Sequence, residues 1–161
     1  MKPLCALMLL MAWPWLAGCA THPAPLAPAS PLAGTRWQLL AIESMSDEQP
    51  TARPAEPARY TLSFGADGQA RLGLDCNRGS ASWQASPAPG DTPGRLSGNL
   101  VLGPLASTRA MCAPPSLEPR LAQALPYVRS YLLLEGRLHL TLMADGGVLT
   151  WAPLAPAQQP P

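Results

Sequence analysis

Two short segments, Leu74–Gly79 (Leu-Asp-Cys-Asn-Arg-Gly) and Leu105–Pro114 (Leu-Ala-Ser-Thr-Arg-Ala-Met-Cys-Ala-Pro), constrain this chain more than any other feature. Each places a cysteine where one kind of structure ends and another begins, so a bond between Cys76 and Cys112 would tie the first half of a domain to the second. Gly73 and Gly79 bracket the first segment and make backbone with positive φ cheap there, which reads as a corner. Two other readings of the pair are a metal site and a reactive thiol. The two histidines, His22 and His139, are scattered and offer no zinc-ligand spacing with these cysteines, so no metal is expected.

Whether Cys76 and Cys112 pair depends on the compartment, and the N-terminus speaks to that. Lys2 supplies a positive start, Leu4–Leu16 an apolar run, and Leu16-Ala17-Gly18-Cys19 a small-residue cleavage site ending in cysteine. The run contains Pro14 and is shorter than the ~20 residues a spanning helix needs. It resembles a bacterial lipoprotein signal. That resemblance implies removal of residues 1–18 and acylation of Cys19 as the mature N-terminus. With Ala20 following, it also implies anchoring at the periplasmic face of the outer membrane. Cys5 falls in the discarded peptide. An exported domain with two remaining cysteines is expected to pair them, because the periplasm is oxidising.

Of 161 residues 21 are Pro, and many of these crowd the two ends, leaving roughly 120 residues for one domain with one core. Residues 19–33 read as a Pro/Ala-rich tether, 34–153 as the domain and 154–161 as a disordered tail. The only Lys is Lys2, so the processed chain carries ten Arg against ten Asp and Glu. A chain without net charge lacks the basic face that nucleic acid requires.

Along the domain, Arg36–Glu43 sets Trp37, Leu39 and Ala41 on one face of a strand. Ser44–Pro57 is a polar loop. Tyr60, Leu62 and Phe64 alternate with Thr61 and Ser63, and after Gly65–Gly68 the alternation resumes at Ala70, Leu72 and Leu74, as in a hairpin. Ser80–Gln84 continues as a strand, Ala85–Gly94 is a Pro-rich surface loop, and Arg95–Ser97 and Asn99–Leu102 are short strands around Gly98. Gly103–Pro115 has no period and reads as ordered irregular chain. Ser116 can cap a short helix with an apolar stripe of Leu117, Leu121, Leu125 and Val128, ended near Pro126. Ser130–Leu134, Arg137–Met143 and Val148–Ala152 form a closing meander, with Leu138, Leu140 and Leu142 inward and His139 on the water side.

Taken together, Gly34-Thr35-x-Trp37, Cys76-Asn77-Arg78, Leu105-x-Ser107-Thr108-Arg109-x-Met111-Cys112, a Leu-rich helix and Gly136-x-Leu138-x-Leu140 with Asp145-Gly146 downstream resemble the META domain, HslJ-like, family. The Pro-rich Ala85–Gly94 departs from that pattern. The resemblance implies an α+β fold, mainly antiparallel β: a strongly curved sheet or partly open barrel of about 7–8 strands with one helix packed across it. It implies a part in envelope stress and in tolerance of novobiocin-type antibiotics, and it brings no catalytic activity and no cofactor. The residues agree, since neither His stands in a triad spacing and no Gly-rich phosphate loop follows a strand.

The expected function is therefore a non-enzymatic, monomeric envelope lipoprotein that meets a protein partner. The candidate recognition surface is Asn77, Arg78, Thr108 and Arg109. The competing reading of those four is structural, with Asn77 and Thr108 satisfying loop backbone groups and Arg78 and Arg109 bridging exposed carbonyls or pairing with Asp75. Met111 is expected to fill the core beneath the bridge. The alternative function is binding of a small apolar or lipid-like ligand in the cleft of the curved sheet.

Overall fold

A computed structural model describes residues 30–143 and 145–154. The expected signal, Cys19 as the expected anchor, most of the expected tether and all but the first residue of the expected tail lie outside those residues. Within them run β1 (Arg36–Glu43), β2 (Tyr60–Phe64), β3 (Gln69–Leu74), β4 (Asn77–Pro87), β5 (Arg95–Leu102), β6 (Ala106–Ser107), the helix α1 (Glu118–Ala124), β7 (Val128–Leu134), β8 (Arg137–Leu142) and β9 (Val148–Pro153). The ladder runs β3-β2-β1-β9-β8-β7-β5-β4 and returns to β3, every pairing antiparallel. The sheet is thus a closed barrel of eight strands, and the curvature implied by the resemblance is carried to completion. Closure leaves none of the eight barrel strands as an open edge of the sheet.

Period-two alternation explains which side chains go in. Tyr60, Leu62 and Phe64 of β2, Ala70, Leu72 and Leu74 of β3, and Leu138, Leu140 and Leu142 of β8 are buried, with their neighbours facing out. Trp151, Tyr131 and Phe64 are the largest of the fully buried side chains, and Phe64 meets Trp83 edge-on at 5.1 Å between ring centres. These side chains line the interior that the eight strands enclose. Leu32, in the stretch read as tether, also belongs to the core.

Two segments differ from the sequence reading. The expected loop at Ala85–Gly94 starts later, because β4 pairs with β5 through Ala85↔Leu100, Ser86↔Asn99 and Pro87↔Gly98. Pro87 is tolerated as the last residue of its strand, where the ladder ends. The two short strands around Gly98 are one strand, β5, that runs straight through the glycine. A Cβ at Gly98 would meet the Ser86 carbonyl oxygen and, at 2.8 Å, the ring of Tyr131. Gly98 therefore marks a close approach rather than a break.

α1 lies across the mouth where β1, β3 and β8 end, with Leu121 and Leu125 buried beneath it. The Leu117 N–H donates to the Tyr60 hydroxyl at 2.9 Å and the Glu118 N–H to the Ser116 hydroxyl at 3.2 Å, which fixes the helix start. A 3-10 turn, Leu125–Tyr127, carries Pro126 and ends the helix as expected. At the opposite mouth the Gly34 N–H donates to Phe64 O at 2.7 Å and the Leu154 N–H to Arg36 O at 2.8 Å. The described chain enters and leaves there, away from α1.

The Tyr131 hydroxyl is buried and has no hydrogen-bond partner among the described residues. Burial, reinforced by the Asp91 carboxylate, raises its pKa above the ordinary value. A pKa raised by folding contributes stability that is full below the unfolded value, about 10, and is lost as pH rises beyond it. Tyr131→Phe is expected to raise stability by about 1 kcal/mol at neutral pH, since an unmade buried hydrogen bond is removed. It should also flatten the decline above pH ~10. Thermal unfolding at both pH values checks this; a variant that is less stable at neutral pH would show the hydroxyl to be satisfied.

Candidate functional site

The site is built where β3 turns into β4. Asp75 and Cys76 form a two-residue hairpin turn, and Asp75 takes φ of 60°, the conformation such a turn demands of its first central residue. β4 begins at once with Asn77, so the expected corner is a tight turn. Asp75 does not pair with Arg78. Its carboxylate lies 2.6 Å from the Arg59 guanidinium in an ion pair, and its side chain is nearly covered.

The irregular chain after β5 folds back over this turn. β6 adds to β4 through Gly79↔Ser107 and Ser80↔Ala106. The Thr108 N–H donates to Arg78 O at 3.0 Å and the Arg78 N–H to the Thr108 hydroxyl oxygen at 3.1 Å. Asn77 is 2% exposed, and its amide clamps the returning chain. Its Oδ1 accepts from the Thr108 hydroxyl and from the Ala110 N–H, each at 2.8 Å, while its Nδ2 donates to Ala110 O at 2.9 Å. A disulfide between Cys76 and Cys112, with Cα atoms 5.5 Å apart, closes the arrangement. The Cys76 N–H donates to Cys112 Sγ at 3.3 Å. Irregular chain is thereby held at three successive points, which is how a loop becomes a fixed surface.

The structure separates the four candidate residues into two pairs. Asn77 and Thr108 spend their polar atoms on the clamp, the structural alternative weighed for them. Arg78 and Arg109 are exposed, and neither has an ion-pair partner among the described residues. The neighbouring Arg71 is engaged by Asp67 at 3.0 Å. The Gln69 N–H and then that guanidinium hold the Asp67 pKa below its ordinary value.

Met111 does not fill the core. It is 100% exposed, because the bridge and the Asn77 clamp fix the backbone on either side with residue 111 facing outward. The loop stands between two shallow clefts. One, of about 560 Å³, separates Arg109 and Met111 from α1 at Pro119 and Ala122. The other, of about 540 Å³, lies between Arg71 and Arg78 over Ser80 and Ser107.

His139 stands apart on the outer wall, half-buried, with Nδ1 3.3 Å from the Thr150 hydroxyl, which lies 3.2 Å from a Glu43 carboxylate oxygen. No group of three His, Cys, Asp or Glu that could hold a metal ion occurs among the described residues.

The family model that matches this chain is the META domain, over residues 30–155. No curated protein matches it. Among solved structures, a DUF4847 family protein from Bacteroides vulgatus ATCC 8482 superposes with a TM-score of 0.49 at 12% identity, over 75% of this chain and 93% of that one.

Proposed function

Because the chain belongs to the META domain family, we propose that it is a non-enzymatic lipoprotein of the bacterial envelope that supports tolerance of envelope stress or of novobiocin-type antibiotics by binding a protein partner. The observation that carries this reading is Met111, wholly exposed on a loop that a disulfide and a buried amide hold still. A large apolar side chain on rigid backbone beside Arg109, a guanidinium without an ion-pair partner among the described residues, is the composition of a contact centre, where Met and Arg are enriched. The complementary partner surface is an apolar pocket rimmed by acidic residues.

Anchoring fits the same geometry. With Cys19 acylated in the outer membrane, the chain reaches the barrel at the mouth opposite α1. The eleven residue steps from Cys19 to Ser30 allow at most about 40 Å of stand-off. The attachment point is thus at the mouth opposite the Met111 loop.

Complementation of cells lacking the protein tests the reading. Met111→Asp and Arg109→Glu alter exposed positions, where substitutions are usually neutral to stability within about 0.5 kcal/mol. Both variants should accumulate to normal levels yet fail to restore survival of heat or novobiocin, and Cys19→Ala should fail as well. Full rescue by the two loop variants would remove the loop from the function.

A further inference from the structure

A groove of about 410 Å³ opens on the other flank of α1, bounded by the ends of β1 and β8 and by the loop that follows β1. Its apolar lining comes from Ile42, Ala124 and Leu142, and Tyr127 and Met143 stand at it 54% and 42% exposed. Their position follows from local chemistry. Pro126 ends the helix, so Tyr127 leaves on the outer side of the 3-10 turn, and the Met143 N–H donates to Tyr127 O at 2.8 Å. The two large apolar side chains are thus tied together by backbone beside a depression of the size that takes small molecules.

The same groove is lined by Arg120 from α1. Its Nη1 donates to Pro50 O at 3.0 Å, while its Nη2 is buried with no hydrogen-bond partner, and no carboxylate pairs with it among the described residues. A second cation, Arg129, turns Nη1 to the carbonyls of Pro126 and Val128 at 3.0 and 2.7 Å and sets Nη2 3.0 Å from Met143 Sδ. Among the described residues no Asp or Glu lines the groove. One guanidinium nitrogen left buried without a partner is costly, and a carboxylate is the group whose geometry and charge complement the half-exposed guanidinium.

We propose that this groove binds a small amphipathic anion, an apolar chain or ring bearing one carboxylate, with the body on Ile42, Leu142, Tyr127 and Met143 and the carboxylate on Arg120. The adaptable thioether of Met143 suits an unbranched chain. The site is separate from the Met111 loop and stands without the partner reading.

A diazirine analogue of decanoate tests it on the full acylated chain in phosphatidylcholine nanodiscs, with the labelled residues mapped by mass spectrometry. Labelling should fall on the peptides holding Tyr127 and Met143 and be displaced by excess decanoate but not by acetate. The matching decanol analogue should label at least tenfold less, and so should decanoate on Arg120→Gln, since one charge-assisted pair is lost while partitioning into lipid is unchanged. Arg120 also holds the loop at Pro50, so Tyr127→Ala serves as a second variant at an exposed rim position; it too should lower labelling. Scattered labels, equal labelling by the alcohol, or undiminished labelling of both variants would overturn the assignment.

Discussion

Replacing Cys76 and Cys112 together by Ser is expected to lower the stability of the domain by about 4 kcal/mol. The bridge closes a loop of 36 residues, and the entropy that such a crosslink removes from the unfolded chain amounts to about that figure. For a domain of this size the midpoint of thermal unfolding should fall by more than about 10 °C. Urea unfolding of the oxidised protein, the reduced protein and the double variant measures it. The last two should coincide. A variant as stable as the oxidised wild type would mean that the returning chain is held by its hydrogen bonds alone.

Asn77→Ala is expected to cost about 3 kcal/mol, more than a typical buried polar substitution. The change strands three partners at once: the Thr108 hydroxyl and both backbone groups of Ala110 lose their hydrogen bonds to a side chain that is 2% exposed. Asn77→Asp keeps the two acceptor contacts and loses the donor to Ala110 O, so it separates hydrogen bonding from packing. The bridge and the amide hold the same stretch of chain. Combining Asn77→Ala with the double Ser variant should therefore cost less than the separate effects added, by 1 kcal/mol or more. Strict additivity would mean that the two clamps act on different structures.

Where the sequence has a period, the architecture was legible in it. The hairpin around Gly65–Gly68 and the strand Arg137–Leu142 bury every second side chain, whereas register shifts in β1 and β7 and three successive buried residues in β9 break the alternation. Closure is not a local property. Nothing in Leu74–Ser80 announces that β4 pairs with β3 through its first half and with β5 through its second. Gly98 and Pro87 misled for one reason: each is a local breaker whose cost tertiary packing absorbs, Gly98 by the Tyr131 ring and Pro87 by its place at the end of the ladder.

The candidate site was half visible. Cys76, Cys112 and Asn77 could be singled out because paired cysteines and a turn amide have specific chemistry. The orientation of Met111 could not, since an apolar residue in aperiodic chain carries no facing information. The Arg120 groove was invisible for a related reason: it joins α1 to the distant ends of β1 and β8, and only the closed barrel brings them together.

The claim at the centre of this account is that the braced loop at the α1 mouth is the surface a partner touches. A photocrosslinking amino acid at position 111, compared in living cells with one at position 135 in the β7–β8 turn at the opposite mouth, tests it most directly. The account predicts a discrete crosslinked envelope protein from position 111, weakened by Arg109→Glu and by loss of the bridge, and none from position 135. Crosslinking from position 135 alone, or from neither position, would contradict it.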